Sequence, residues 1–180
     1  MMLAARLKHQ ETLGDRVIKV DHAGEHGATC IYRAQRRIAR WRAPDLLPEI
    51  DDFISHEMHH RALFAAALAE RGRPRCRSYH LCGVGGLFLG TITGFIGRRA
   101  IAATTVAIER VVLRHLEEQV RALSAVDPAA VALIGEIISD EQAHHDLSEA
   151  RLSRRPWWTG VIDRIVEIST EAVIWLGMRL

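Results

Sequence analysis

The pattern of hydrophobic and polar positions predicts helices along nearly the whole chain. Apolar residues recur at helical spacing, no convincing alternating strand pattern appears, and proline is confined to positions 44, 48, 74, 128 and 156. The main predicted helices are Asp15–Trp41, Pro48–Arg71, Arg98–Leu123 and Pro128–Leu152, with Asp127 as a cap for the last. Because a short turn joins each successive pair, we expect an all-α four-helix bundle of two hairpins, 15–71 and 98–152.

Between the predicted hairpins lies an apolar stretch without a formal charge, residues 80–97, HLCGVGGLFLGTITGFIG. Gly86, Gly90 and Gly94 are spaced four apart, which lets a helix approach a neighbour closely in lipid or in a tight core. The stretch has 18 residues, the lower limit for crossing a bilayer, and arginines flank both ends. We expect an apolar crossover helix that also touches the membrane; the alternative is a buried crossover.

A final amphipathic helix is predicted over residues 157–178, after a break at the RRP run of residues 154–156. Trp157 and Trp158 come at its beginning and Trp175 lies near its end, a placement typical of helices at a membrane interface. The alternative is a helix packed on the bundle, since the same pattern of apolar and polar residues serves both.

Two of the predicted helices carry the pattern ExxH, at Glu57 and His60 in HEMHH and at Glu141 and His144 in SDEQAHHD. Residues three apart lie on the same face of a helix, so each pattern presents an oxygen and a nitrogen ligand to one point. A single ExxH is a weak signal, because glutamate and histidine often meet by chance on a solvated face.

Each ExxH is preceded at the same interval by a glutamate in apolar surroundings. Glu25 lies 32 residues before Glu57, and Glu109 lies 32 residues before Glu141. Packing two such hairpins together would bring four carboxylates and two imidazoles to one centre, the ligand set of ferritin-like di-iron and di-manganese proteins. Two iron ions would neutralise the repulsion among the buried carboxylates, so we expect a ferritin-like bundle with a two-iron site.

HEMHH also contains HExxH, the zinc-protease pattern in which His56 and His60 bind zinc and Glu57 acts as general base. This interpretation needs a third ligand and leaves the second ExxH unexplained. We therefore disfavour it and expect His56 to be solvated or to support a metal ligand.

Three further residues are candidates for orienting the metal ligands from behind, as metal-bound histidines usually require. His145 and Asp146 directly follow His144, and His115 lies six residues after Glu109.

Composition narrows the classes of function. A net charge of +2 gives no argument for a nucleic-acid partner. Cys30, Cys76 and Cys82 lack CxxC spacing, which fits a reducing compartment. The first residues, MMLAARLKHQETLGD, show no long apolar region followed by a cleavage site, so a cytoplasmic protein is expected. A length of 180 residues suits one domain, 1–180.

Taken in order and spacing, these motifs resemble the demethoxyubiquinone hydroxylases of ubiquinone biosynthesis. The resemblance covers nearly all of the chain from Arg16 onward, through RVIKVDHAGEHGATCIYRAQ, HEMHH, the glycine-rich stretch, TVAIE and SDEQAHHD. It implies that the ligands of two iron ions are Glu25, Glu57, His60, Glu109, Glu141 and His144, with Glu57 and Glu141 as bridges. Some members have tyrosine where this chain has His26 and Leu116.

The resemblance implies hydroxylation of the ring of a polyprenylated demethoxyubiquinol by O2, with one oxygen atom ending in water. It also implies electrons drawn ultimately from NADH and peripheral attachment to the cytoplasmic face of the inner or cell membrane, or to the mitochondrial inner membrane in a eukaryote. Other ubiquinone-biosynthesis proteins or a second copy of the chain are the expected protein partners.

Two alternatives to this function stay open. One is another ferritin-like di-iron oxidase or peroxidase, and the other is a non-catalytic iron- or quinone-binding protein. A storage bundle should have a polar exterior, whereas the crossover is apolar and uncharged, and none of the six ligand positions is substituted.

Overall fold

The computed structural model describes residues 5–152 and 156–180, which contain helices and short connections but no strand. The elements are α1 (Leu13–Arg42), a 3-10 turn (Pro44–Leu46), α2 (Leu47–Glu70), α3 (Tyr79–Ile96), α4 (Arg98–Leu123), α5 (Pro128–Ala150) and α6 (Thr159–Gly177). The all-α prediction is confirmed. Of the predicted break before α6, residues 154 and 155 lie outside the described part of the chain.

Local capping chemistry sets the helix ends. Thr12 accepts a hydrogen bond from the Asp15 amide and the Asp15 carboxylate accepts one from the Thr12 amide, so α1 begins at Leu13, earlier than predicted. Asp127 caps α5 as predicted. Its two oxygens also accept from Arg71 at the end of α2, at 2.6 and 2.9 Å. This bidentate contact ties the ends of the two hairpins together.

The helices α1 and α4 run antiparallel through the middle of the bundle. Asp21 and Tyr32 on α1 pair with Gln119 and Glu109 on α4, so the partner's number falls as the number on α1 rises. Two apolar clusters fill the core. One contains Val17, Ile18, Phe64, Leu68, Leu116, Leu123, Ile134 and Ile137, and the other contains Ile31, Tyr32, Ile50, Phe53, Ile101 and Ile108. On α1, α2 and α4 the predicted site falls between these clusters along the chain.

The crossover helix α3 has two contrasting faces. Its glycine face packs against α1 so closely that a Cβ added at Gly86 or Gly90 would lie 2.3 Å from the carbonyl oxygen of Gly27 or Ile31. Its other face is apolar and exposed, with Leu81, Val84, Leu87, Phe88, Ile92, Phe95 and Ile96. The helix is long and apolar enough to cross a membrane, a property that core helices of soluble proteins share, although only 33% of it is buried.

The last helix, α6, packs on α4 and also keeps an apolar side exposed. Val166 is fully buried in the core, whereas Ile165 and Trp175 are more than half exposed. On the packed side, Glu171 pairs with Arg114 and with the Nε2 of His115. Both interpretations of the pattern therefore hold for different faces of one helix. The structure has the predicted bundle of two hairpins, apolar crossover and amphipathic last helix.

Candidate metal centre

Six acidic and imidazole side chains from α1, α2, α4 and α5 converge in the middle of the bundle. They form two groups, in each of which one ligand atom per residue lies within 4.8 Å of the others. The groups are Glu25, Glu57, His60 and Glu141, and Glu57, Glu109, Glu141 and His144. All six residues are buried, with exposed fractions of 7% or less. Glu57 and Glu141 belong to both groups, so they lie where two neighbouring cations could share them.

Both imidazoles present Nδ1 to the centre and Nε2 to a residue behind it. The Nδ1 of His60 is 3.0 Å from Glu141 Oε1, and its Nε2 is 3.0 Å from Asp140 Oδ2. The Nδ1 of His144 is 3.3 Å from Glu141 Oε2, and its Nε2 is 3.0 Å from His56 Nδ1. Metal-bound histidines need such a partner on the far nitrogen, because it fixes the tautomer and the ring orientation.

Several inward-facing atoms have no hydrogen bond of acceptable geometry. They are Glu57 Oε1, His60 Nδ1, Glu141 Oε2 and His144 Nδ1. Buried polar atoms nearly always have a partner, so this set fits bound cations, which would coordinate all four atoms. Four carboxylates with two imidazoles suit iron or manganese better than structural zinc, which favours cysteine and histidine.

The electrostatics of the centre favour the replacement of protons by cations. Burial and the neighbouring carboxylates raise the pKa values of Glu57 and Glu109 well above their ordinary value. Burial raises the pKa of Glu25 to about 7. Burial would also raise the pKa of Glu141, but hydrogen bonds from His144 and His60 lower it to about 2. The metal-free centre therefore holds protons that a divalent cation would displace.

An apolar cavity of about 580 Å³ opens beside the centre. Its walls come from α1, α3, α4 and α6, and all four glutamates of the centre reach it. The apolar lining includes Ile31, Leu89, Ile108, Val112 and Val173. Because α3 and α6 also carry the exposed apolar faces, the cavity and those faces belong to the same two helices.

Comparison with known proteins assigns the chain to a family. The family described as "Ubiquinone biosynthesis protein COQ7" matches residues 12–177. This chain belongs to the COQ7 family. The resemblance inferred from the motifs is thereby confirmed.

Curated relatives match the COQ7-family chain over most of its length. A Dictyostelium discoideum protein named "NADPH-dependent 3-demethoxyubiquinone 3-hydroxylase, mitochondrial" is 32% identical, over 97% of this chain and 80% of the relative. The Mus musculus protein of the same name is 31% identical, over 92% and 77%. A Rhodospirillum rubrum protein named "3-demethoxyubiquinol 3-hydroxylase" is 28% identical, over 92% and 78%.

Within this COQ7-family bundle, the residues behind the imidazoles differ from those that the sequence suggested. His115 pairs with Glu171 on α6, and His145 pairs with the exposed Asp146. The described contacts with the imidazoles come instead from Asp140 and from His56, the residue that the zinc interpretation would have used as a ligand. Asp140 directly precedes Glu141, but it contacts the histidine of the other hairpin, a relation that spacing along one helix does not indicate.

Sequence analysis also missed a tyrosine at the centre. The hydroxyl of Tyr32 donates a 2.6 Å hydrogen bond to Glu109 Oε1, and its ring is fully buried beside Phe53. A signal was available, because Tyr32 lies seven residues after Glu25 on the same face of α1.

The two positions where some relatives carry tyrosine have ordinary packing roles here. Leu116 is buried in the core, and His26 stacks on Tyr79 with ring centroids 4.0 Å apart.

Proposed function

We propose that this chain hydroxylates the ring of a polyprenylated demethoxyubiquinol with O2, using two iron ions held by the six converging residues. The observation that carries the proposal is the pair of buried ligand groups sharing Glu57 and Glu141, placed at the wall of an apolar cavity. The names of the relatives supply the substrate class, since they print demethoxyubiquinone or demethoxyubiquinol as the molecule hydroxylated.

In this proposal Glu25 and His60 would hold one iron, Glu109 and His144 the other, and the two shared glutamates both. Bound iron would supply O2 activation, with one oxygen atom entering the ring and the other leaving as water. The chain's own contribution is positional: Asp140 and His56 hold the two imidazoles with Nδ1 inward. The Tyr32 hydroxyl holds the Glu109 carboxylate from the side opposite to solvent, within the core.

The cavity suits the ring and the first part of an isoprenoid tail. Its volume lies within the range of about 300–1,000 Å³ usual for small-molecule sites, and its apolar walls exclude water from the ring. We place the rest of the tail between α3 and α6, whose exposed apolar residues would lie in the membrane interface. Trp157 and Trp175, both exposed, suit that interface. Attachment would be peripheral, to the cytoplasmic face of a bacterial membrane or to the mitochondrial inner membrane in a eukaryote.

The electrons in this proposal come from a reduced nicotinamide nucleotide. The motif resemblance implies NADH, whereas the names of several relatives print NADPH. Supplying each nucleotide separately to the protein with its quinone substrate would show which of them supports product formation.

The proposal is tested by loading the protein with iron, measuring metal per chain, and supplying a demethoxyubiquinol analogue, reductant and ¹⁸O2. We expect about two irons per chain and a product whose new hydroxyl carries one labelled oxygen. One zinc per chain, or an iron-loaded protein that yields no hydroxylated product, would overturn the proposal.

A further inference from the structure

Three polar side chains line the apolar cavity outside the metal-ligand set: Asp21 on α1, and His115 and Gln119 on α4. Each has one polar atom engaged. The Nε2 of Gln119 donates to Asp21 Oδ1 at 2.9 Å, and the Nε2 of His115 lies 3.0 Å from Glu171 Oε2.

The second polar atom of each of these side chains is buried without a hydrogen-bond partner. These atoms are Asp21 Oδ2, Gln119 Oε1 and His115 Nδ1. A buried polar atom left unpaired costs about 1–3 kcal/mol, so native structures rarely keep one unless a ligand or water supplies the partner. Gln119 is only 2% exposed, which makes its free oxygen a built feature of the cavity wall.

These side chains lie close to the metal centre along the helices. Asp21 lies four residues before Glu25 on α1, so the two share a face one helical turn apart, about 6 Å between their Cβ atoms. His115 and Gln119 have the same spacing on α4. A six-membered ring bound at Asp21 and Gln119 would therefore reach toward Glu25.

The engaged atoms dictate what the free oxygen of Gln119 can bind. Its amide nitrogen must face the Asp21 oxygen, because two oxygens there would repel, and so Oε1 faces away. A carbonyl oxygen can only accept a hydrogen bond. A hydroxyl satisfies it, whereas a quinone carbonyl or an ether oxygen does not.

We propose that Gln119 and Asp21 form a subsite for one ring hydroxyl of the hydroquinol and thereby select the reduced ring over the quinone. The inference rests on the proposed function, from which it takes the hydroquinol ring. Sites built to hydrogen-bond a hydroxyl discriminate strongly against analogues that lack it, because their buried polar atoms are then left unpaired.

The first test uses the wild-type metal-loaded protein without O2, so that binding is measured without turnover. Calorimetry gives Kd for a short-tailed demethoxyhydroquinol, its quinone, its dimethyl ether and its two monomethyl ethers. We expect the hydroquinol to bind about tenfold or more tightly than the quinone or dimethyl ether, with one monomethyl ether matching the weaker compounds. Equal affinities for all five compounds would overturn the subsite.

The second test is Gln119→Met, which keeps the length of the side chain but removes the acceptor. We expect the preference for the hydroquinol to fall to within about threefold of none, while the Kd of the dimethyl ether changes little. Ser169→Ala is the matched control, since Ser169 also lines the cavity but donates its hydroxyl to Val166 in its own helix. A Gln119→Met protein that keeps the wild-type preference would contradict the inference.

These tests separate the inference from the proposed function. Selective binding without hydroxylated product would leave the subsite standing and overturn the hydroxylase proposal. Hydroxylation without selective binding would do the reverse.

Discussion

The two hairpins supply matching ligands to the centre but have different surroundings. The hairpin α1–α2 contributes Glu25, Glu57 and His60, and the hairpin α4–α5 contributes Glu109, Glu141 and His144 at the same 32-residue interval. Outside the centre the match ends. The glycine face of α3 packs on α1, whereas α6 packs on α4 through Glu171 and Val166.

The difference continues behind the ligands. A carboxylate, Asp140, contacts the far nitrogen of His60, whereas an imidazole, His56, contacts that of His144. Tyr32 donates to Glu109, and its own helix carries Glu25. The repeated unit therefore sets the types of ligand, and the neighbours make the two candidate metal positions unequal. The cavity follows the outer helices α3 and α6 rather than the repeat.

Removing a shared ligand should have the largest effect, because it damages both groups. Glu141→Ala should lower bound metal from about two ions per chain to fewer than one and reduce hydroxylation by about 100-fold or more. Glu109→Ala, which damages only the second group, should keep about one ion. Metal analysis and product assay measure both results.

The control for this pair is Glu136→Gln, an exposed glutamate on α5, which should keep full metal content and activity. Equal metal loss in Glu141→Ala and Glu109→Ala would contradict the sharing of ligands between two groups.

The unequal support of the imidazoles predicts unequal losses. Asp140→Asn should weaken metal binding at the position that includes His60 by about 10–100-fold, because the far nitrogen loses a charged acceptor. His56→Gln should cost less, since it replaces one neutral partner of His144 by another. Competition with a chelator gives both affinities. A larger loss for His56→Gln would reverse the assigned inequality.

The packing of α3 on α1 can be tested with two glycines of one helix. Gly90→Ala puts a Cβ 2.3 Å from the Ile31 carbonyl oxygen, so it should lower the free energy of unfolding by about 1–3 kcal/mol. Gly85→Ala meets no atom within 4 Å and should leave stability unchanged or raise it by up to about 1 kcal/mol. Urea unfolding compares the two, and equal stabilities would show that α3 does not pack this closely.

The smallest expected effect is a pH dependence confined to the metal-free protein. The pKa of Glu25 rises from 4.5 to about 7 on folding, so the folded chain keeps a proton that the unfolded chain releases. This contribution to stability is fully present below about pH 4.5 and is lost as the pH rises through about 7. The raised pKa values of Glu57 and Glu109 act in the same direction.

Urea unfolding of chelator-treated protein at pH 5 and pH 8 measures this loss. Bound metal should abolish it, because the ligands are then deprotonated in the folded state, and Glu25→Gln should reduce it. A metal-free protein that is more stable at pH 8 than at pH 5 would contradict the assigned direction.

Much of the architecture could be predicted because its causes are local. Helical spacing of apolar residues indicated every long helix, Thr12 and Asp127 cap by bonds to residues three positions away, and the glycines of α3 marked its close approach. The six residues of the centre could be named because two residues three apart must share a face, and the repeated interval matches their heights.

Other features depend on contacts between helices. The contacts of Asp140 with His60 and of His56 with His144 cross from one hairpin to the other. The same is true of Tyr32 with Glu109 and of Gln119 with Asp21. Sequence spacing does not encode them, since they depend on the rotation and offset at which the helices pack.

The sequence by itself determined the helices, the repeated ligand unit and the family, because each rests on residue types at fixed short spacings. Only the tertiary structure decided which partner supports each imidazole, which face of α3 stays exposed, and where the cavity keeps its unpaired polar atoms. Those outcomes depend on side chains from separate helices meeting within a few ångströms, and packing of the whole bundle sets that distance.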